Sequence, residues 1–348
     1  MNDDSADDFS NTERMSSLNL DAIYKAQHII KGIADQTPLI PAPNLSQILG
    51  CEMLLKLENM QPIGAFKIRG ALNAVANIPE DAKGVVAAST GNHGRGVAYA
   101  AKARGIPAVI AMSSMVPQVK VDGIKALGAE VLIAGPTQAD ADEAVERLVK
   151  ERGFVDISPF DDLDVIAGQG TIGLELMAAR PDLKAIITPL SGGGLAGGIA
   201  LAAKAINPDI RIIGASMENG PAMKDALDAG KPVEVEEFPS LADSLGGGIG
   251  MENRYTFALC QELIDEVVLV SEEEIYHAMQ MLYYEERIIA EGSCVVGLAT
   301  MKAGKITLDG PVAAVITGRN VDMDMYTKII NGDDVTIKDM TIKGQAYR

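Results

Sequence analysis

The chain has 348 residues, 47% of them hydrophobic and 4% aromatic, enough for two domains or one large α/β unit around a sizeable core. Its formal charge of −18 excludes a nucleic-acid partner, because phosphate binding needs a basic face. Cys51, Cys260 and Cys294 form neither a zinc pattern nor a disulfide framework, and no apolar run is long enough to span a membrane. Met1–Ser17 has no basic n-region or apolar h-region and reads as a disordered acidic tail, so a cytoplasmic enzyme is expected.

Taken in chain order, short apolar runs predict strands at Glu52–Glu58, Gly84–Ala88, Pro107–Met112, Glu130–Ala134, Phe154–Ser158, Ala185–Leu190, Ile210–Ser216, Glu266–Val270 and Pro311–Thr317. These runs are continuous, as strands covered on both faces require. Helical patterns fall between them at Ala71–Asn77, Gly94–Arg104, Gln118–Leu127, Ala139–Glu151, Thr171–Ala179, Leu195–Ile206, Glu273–Tyr284 and Cys294–Ala303. Gly105, Gly128 and Gly153 stand where helices should stop. The alternation predicts an α/β fold with open, twisted, mostly parallel sheets and helices on both faces. Residues 84–160 hold strand–helix repeats of their own and are expected to form a small domain inserted into a large one of 18–83 and 161–326. After Tyr326 the chain turns polar; 327–348 is expected to be a tail, with 331–348 a tail or an edge hairpin.

Several stretches point to chemistry. Lys67 lies in the glycine-bounded segment Gly64-Ala65-Phe66-Lys67-Ile68-Arg69-Gly70-Ala71, where an ammonium loses hydration. Burial lowers a lysine pKa and makes the neutral amine available for imine formation. A lysine snorkelling from a helix start is the plainer reading. Ser89-Thr90-Gly91-Asn92-His93-Gly94 joins a strand to a helix N-terminus, a natural seat for a carboxylate, although N-capping by Ser89 or Thr90 accounts for it equally. His93 is either an acid–base group or a satisfied structural histidine. Ser191-Gly192-Gly193-Gly194-Leu195 also joins a strand to a helix and can wrap a phosphate in backbone N–H groups.

Gly192, Gly194 and Gly197 satisfy G-x-G-x-x-G as well, and Glu218, somewhat late, stands where a ribose-binding acid is wanted, so a nicotinamide-dependent oxidoreductase is an alternative. Gly168-Gln-Gly170-Thr-Ile-Gly173 follows an irregular acidic segment and reads as helix initiation. The cluster from Ala242 to Gly250 either closes over a ligand or is a flexible loop. Thr317-Gly318-Arg319-Asn320 ends the last strand, and Thr90, Ser191 and Thr317 all fall at strand carboxyl ends, where doubly wound sheets bind ligands. A non-catalytic binding protein is the bland alternative.

At Lys67 in GAFKIRGA, the STGNHGRG loop and the SGGGLAGG loop, the chain resembles the serine/threonine dehydratase group of pyridoxal-phosphate enzymes, of fold type II and tryptophan-synthase-β-like, from about Leu20 to Met325. The resemblance implies that Lys67 tethers pyridoxal 5'-phosphate covalently beside Phe66 and later moves the substrate Cα proton. Asn92 would hydrogen-bond the cofactor's phenolic oxygen, and Ser89, Thr90, Gly91, Asn92 and His93 would bind the substrate carboxylate. Ser191, Gly192, Gly193, Gly194 and Leu195 would cradle the cofactor phosphate, and Thr317 would contact the pyridine nitrogen. Cofactor phosphate and Thr90 are candidate proton carriers. A homodimer, no regulatory domain, and a small amino acid as the only partner, with neither nucleic acid nor membrane, are implied.

Four positions depart from the group's pattern. Ser191 replaces a glycine, Thr317 a serine, and Arg319 a small residue. Glu218 matches the first acid of a cation site, but Lys224 falls at the second, so no metal is expected and the Lys224 ammonium is expected to take its place. ADSLGGGIGMENRYTFALC (Ala242–Cys260) and TGRNVDMDMY (Thr317–Tyr326) resemble the hydroxyectoine-utilisation dehydratase subgroup. This implies elimination of water from a β-hydroxy α-amino acid of that origin, giving a 2-oxo acid and ammonia, with serine-type racemisation as an alternative.

Overall fold

The computed structural model describes residues 15–348 except Thr90, Met115 and Pro117. The acidic-tail reading of residues 1–14 lies outside the described residues, and residues 15–17 are helical. The regular elements, in chain order, begin with α1 (Leu20–Ile30), β1 (Leu39–Pro41), α2 (Pro43–Leu49), β2 (Met53–Lys56), α3 (Ile68–Asn77), β3 (Val85–Ala88), α4 (Asn92–Arg104), β4 (Ala108–Ser113) and α5 (Gln118–Ala126). They continue through β5 (Glu130–Gly135), α6 (Gln138–Arg152), β6 (Val155–Asp156), α7 (Leu163–Ala179), β7 (Ala185–Pro189), α8 (Gly194–Ile206), β8 (Arg211–Met217), α9 (Ala222–Ala229) and α10 (Thr256–Leu263). The last are β9 (Glu266–Val270), α11 (Glu272–Glu286), α12 (Gly292–Lys302), β10 (Val312–Val315), α13 (Met323–Asn331), β11 (Val335–Ile337) and β12 (Met340–Ile342). No helix among the described residues is long and apolar enough to cross a membrane.

Two compact units result. One holds the described residues up to Asp35 with Gln61–Thr171; the other holds Gln36–Met60 and Ile172–Arg348, the division falling within α7. The first unit is built on a parallel sheet ordered β5-β4-β3-β6. Side chains alternate across it. Val85, Ala87, Ile110 and Met112 meet α3 and α4 on one face, while Val86, Val109 and Ala111 meet Ala141, Ala144, Val145 and Leu148 of α6 on the other. Burial on both faces is why these strands read as unbroken apolar runs.

The second unit is built on an open sheet ordered β1-β2-β10-β7-β8-β9, parallel except for β1 against β2. One face packs on α11 and α12 through Tyr276, Met279, Val295 and Leu298. Ala196, Ala222, Met223 and Cys260 form a separate cluster from α8, α9 and α10. The fold is α/β with parallel-rich open sheets and helices on both faces, as the alternation predicts.

Two local expectations fail. Helix α7 begins at Leu163, eight residues before the expected Thr171. The acidic segment is its cap: Asp162 Oδ1 accepts the Val165 N–H at 2.9 Å. Gly168 lies inside the helix, where a Cβ would stand 2.6 Å from the Arg69 carbonyl and Gly70 Cα; it is a crossing point with α3 and not a start signal. The tail expected after Tyr326 is also absent, while the hairpin alternative for 331–348 is the one that forms. The chain continues α13, capped by Asp322 Oδ1 on the Met325 N–H at 2.9 Å, and then forms the β11–β12 hairpin, whose Val335 and Ile342 are buried. Its polar composition belongs to one face only, and Tyr326, Ile329 and Ile330 carry the other into the core.

Candidate active site

In the first unit Lys67 stands at the N-cap of α3, after a turn closed by the Gly64 N–H on the Gln61 carbonyl at 2.7 Å. Its Nζ donates to the Pro159 carbonyl at 2.6 Å and lies 5.3 Å from the centre of the Phe66 ring. Desolvation holds its pKa down at about 8, so a usable fraction of neutral amine exists near neutral pH. Gly96 lets α4 approach this turn closely: a Cβ there would lie 3.2 Å from the Lys67 carbonyl oxygen and from Ala71 Cβ.

The Ser89–Gly94 turn sits on the same helix. Ser89 Oγ accepts the N–H of Gly91 at 3.3 Å and of Gly94 at 3.1 Å, so Ser89 braces the turn. Thr90, a candidate proton carrier and carboxylate ligand, lies outside the described residues. Asn92 is the first residue of α4, whose N-terminal dipole favours an anion. The His93 side chain is buried and structural. Its Nε2 lies 2.6 Å from the Ile157 carbonyl, which requires Nε2–H as donor. Desolvation, then the nearby Lys67 ammonium, bring its pKa down to about 3, with the Ile157 carbonyl opposing.

His93 is therefore neutral in the fold at working pH, and an acid–base role for it is not supported. The unfolded imidazole titrates near 6.5. With the folded pKa below the unfolded one, its contribution is complete above about 6.5 and is lost as pH falls towards about 3. His93→Asn, which keeps a donor for Ile157, is expected to make urea stability less steeply dependent on pH between neutrality and pH ~4. An unchanged slope contradicts this.

In the second unit the Ser191–Leu195 loop leaves β7 and enters α8. Gly193 is the N-cap of α8 at φ 90°, and its carbonyl accepts the Gly197 N–H at 2.8 Å. A Cβ at Gly193 would stand 2.7 Å from Met223 Cε and 2.8 Å from Cys260 Sγ. Side chains of α9 and α10 thus close one side of the loop, and Gly192, Gly193 and Gly194 are buried. Backbone N–H groups at a helix N-terminus, with no room for a side chain at Gly193, fit a phosphate. Each unit's chemistry, taken by itself, fits one part of pyridoxal phosphate: a phosphate for the Ser191–Leu195 turn, and an aldehyde carbon for the Lys67 amine, held at about 8.

Thr317 lies two residues past β10, buried, with Oγ1 3.0 Å from Cys294 Sγ. Arg319 is exposed, and its Nη1 donates to the Asn59 carbonyl at 2.7 Å. Glu218 follows β8, but its carboxylate accepts from Lys305 Nζ at 2.9 Å, and that ammonium also reaches the Leu269 carbonyl and Glu274. Lys224 pairs with Asp228 one turn on and not with Glu218, whose ammonium partner is Lys305. Among the described residues no group of three or more acidic, His or Cys side chains is arranged to hold a metal. The start of the Ala242–Gly250 cluster is pinned, with Glu272 accepting from Ser240 Oγ at 2.6 Å and the Leu241 N–H at 2.8 Å.

Cys294 and the Pro159 carbonyl were not foreseen. The first was visible only as a cysteine in an apolar helix, and the second is a backbone atom that no side-chain pattern announces.

The pattern of the family described as "Pyridoxal-phosphate dependent enzyme" matches residues 30–318. A protein of Sinorhizobium fredii with a provisional threonine dehydratase assignment is 50% identical over 91% of this chain and 97% of its own. L-threonine ammonia-lyase of Thermotoga maritima is 42% identical over 90% of this chain and 78% of its own. Among solved structures, maize serine racemase superposes with a TM-score of 0.83 at 33% identity, covering 89% of this chain and 96% of that one. Threonine deaminase isoform 2 of Solanum lycopersicum gives 0.81 at 36% identity, covering 89% and 87%. On this family match and these relatives, the chain belongs to the pyridoxal-phosphate dependent enzyme family and is a lyase of that family.

Proposed function

We propose that this enzyme eliminates water from a β-hydroxy α-amino acid, one derived from hydroxyectoine, to give a 2-oxo acid and ammonia. The observation that carries the reading is Lys67, whose amine is held at about 8 beside a carbonyl and an aromatic ring, a setting for covalent attachment and proton transfer. When bound, the cofactor supplies the electron sink for a Cα carbanion. The chain supplies the rest. Lys67 Nζ would take the Cα proton, the α4 N-terminus with Ser89–His93 would hold the substrate carboxylate, and Asn92 and Thr317 would hydrogen-bond the cofactor's phenolic oxygen and pyridine nitrogen. Thr90 is a proton carrier for the departing hydroxyl. Loss of the Cα proton and the β-hydroxyl as water leaves an enamine, which tautomerises and hydrolyses to the oxo acid and ammonia.

Arg319 and the resemblance at Ala242–Cys260 and Thr317–Tyr326 support the substrate class: an exposed guanidinium beside a strand-end site suits a second polar or anionic group on the substrate. Arg319→Gly is expected to raise kcat/KM for plain serine and threonine by about tenfold and lower it for acylamino substrates by as much. Unchanged ratios remove Arg319 from specificity. The enzyme is proposed to work as a cytoplasmic homodimer.

The decisive experiment is a panel of β-hydroxy amino acids, including ring-opened hydroxyectoine derivatives, assayed for ammonia and 2-oxo acid. The purified protein should show visible absorbance that borohydride fixes to Lys67. A colourless protein that takes up no cofactor ends the proposal, and D-enantiomer without oxo acid transfers it to racemisation.

A further inference from the structure

Cys294 occupies a position that the reaction as described does not use. It lies in the first turn of α12, buried, with its sulfur wedged into the strand-end loop. Sγ is 3.0 Å from Thr317 Oγ1 and 3.0 Å from the Gly318 carbonyl oxygen, and the Gly318 N–H donates to it at 3.0 Å. A thiol has one proton to give. Two acceptors lie in reach of it, the Gly318 carbonyl, which also accepts the Glu291 N–H at 3.1 Å, and Thr317 Oγ1. Thr317 Oγ1, for which the sulfur is a close partner, can use it. Burial first, and the Glu291 carboxylate second, push the Cys294 thiol up to about 12, so the proton stays on sulfur throughout the working range. A hydroxyl that receives S–H must send its own proton elsewhere.

We propose that Cys294 is a positioning residue that commits the Thr317 hydroxyl to donating, so that Thr317 offers O–H and not a lone pair to a ring nitrogen. This rests on the proposed contact between Thr317 and the cofactor's pyridine nitrogen. The relay runs S–H to Oγ1 and O–H to nitrogen, with no net proton movement. With the cofactor bound, it would keep the nitrogen unprotonated, the state in which elimination is favoured over chemistry needing a stronger electron sink. Without the thiol, the Thr317 hydroxyl can rotate and accept, and a protonated ring nitrogen becomes accessible.

The test uses the holoenzyme and its visible absorption across the neutral pH range, with cofactor uptake measured by equilibrium dialysis. Cys294→Ala is expected to shift the absorption band, introduce a pH dependence absent from the wild type, and lower kcat about tenfold with KM little changed. Cys294→Ser, which retains a donor, should restore the wild-type spectrum. In a Thr317→Val background Cys294→Ala should change nothing further, a readout that survives partial loss of stability. A spectral change of equal size in that background makes Cys294 a packing residue and overturns the proposal. Spectra of Cys294→Ala that superimpose on the wild type also overturn it. A wild-type protein that binds no cofactor overturns both this and the underlying function, and is recognised by having no visible band to shift.

Discussion

Lys67→Met is expected to abolish turnover, by at least ~10³-fold if the amine both tethers and transfers protons, and to make the cofactor-free protein more stable at neutral pH. The folded lysine titrates at about 8 against an ordinary value of 10.5. At ~1.4 kcal/mol per pH unit, holding the ammonium desolvated below that point costs on the order of 3 kcal/mol. Loss of the hydrogen bond to the Pro159 carbonyl offsets about 1 kcal/mol of the gain. With the folded pKa below the unfolded one, the folded state binds fewer protons between the two values. Wild-type stability therefore rises through that window, and the advantage of the Met variant is greatest below about 8 and vanishes by 10.5. Urea titrations of both cofactor-free proteins at neutral and alkaline pH measure this. A variant that is less stable by the same amount at both pH values would show that Lys67 acts through packing.

Gly193→Ala is expected to weaken cofactor binding far more than one added methyl group ordinarily would. The residue holds φ 90° at the N-cap of α8, a conformation costing an alanine ~1–2 kcal/mol. The added carbon would also meet Met223 Cε at 2.7 Å and Cys260 Sγ at 2.8 Å. The loop must then move away from α9 and α10, which turns its N–H groups from the phosphate position. A loss of cofactor affinity of about 100-fold is expected, with reduced thermal stability of the apoprotein. Combining it with Met223→Ala and Cys260→Ala relieves only the steric part, so affinity should return partly and never fully. Full recovery would mean that backbone conformation is not what the glycine provides, and unaltered affinity would remove this loop from phosphate binding.

These expectations show how unevenly function is written in the chain. The strands were legible because each is buried on both faces and spelled as an apolar run; all nine predicted ones are present within a residue or two of their bounds. The short antiparallel β1 and the hairpin strands β11 and β12 carry no such run, being three residues each. Helices α1, α2, α9, α10 and α13 were missed because they are short and half polar, and their identity depends on which face meets the core. Helix α7 was misplaced because glycine in a sequence reads as a breaker. Only the tertiary fold shows Gly168 as the place where α3 presses against the helix.

The amino-acid sequence by itself determined the α/β class, the order of strand and loop, and the residue types of the candidate chemistry: an amine, two glycine-rich strand-to-helix turns and a strand-end hydroxyl. Those follow from local periodicity, turn composition and the intrinsic reactivity of side chains, which need no neighbours to be read. What only the tertiary structure decided is the protonation and partnership of each group. Lys67 falls to about 8 and His93 to about 3 because the fold removes their water and sets one near the other. Glu218 answers to Lys305, 87 residues away, and Thr317 to Cys294, 23 residues away. Desolvation and hydrogen-bond direction depend on atoms distant in the chain, so no local pattern encodes them.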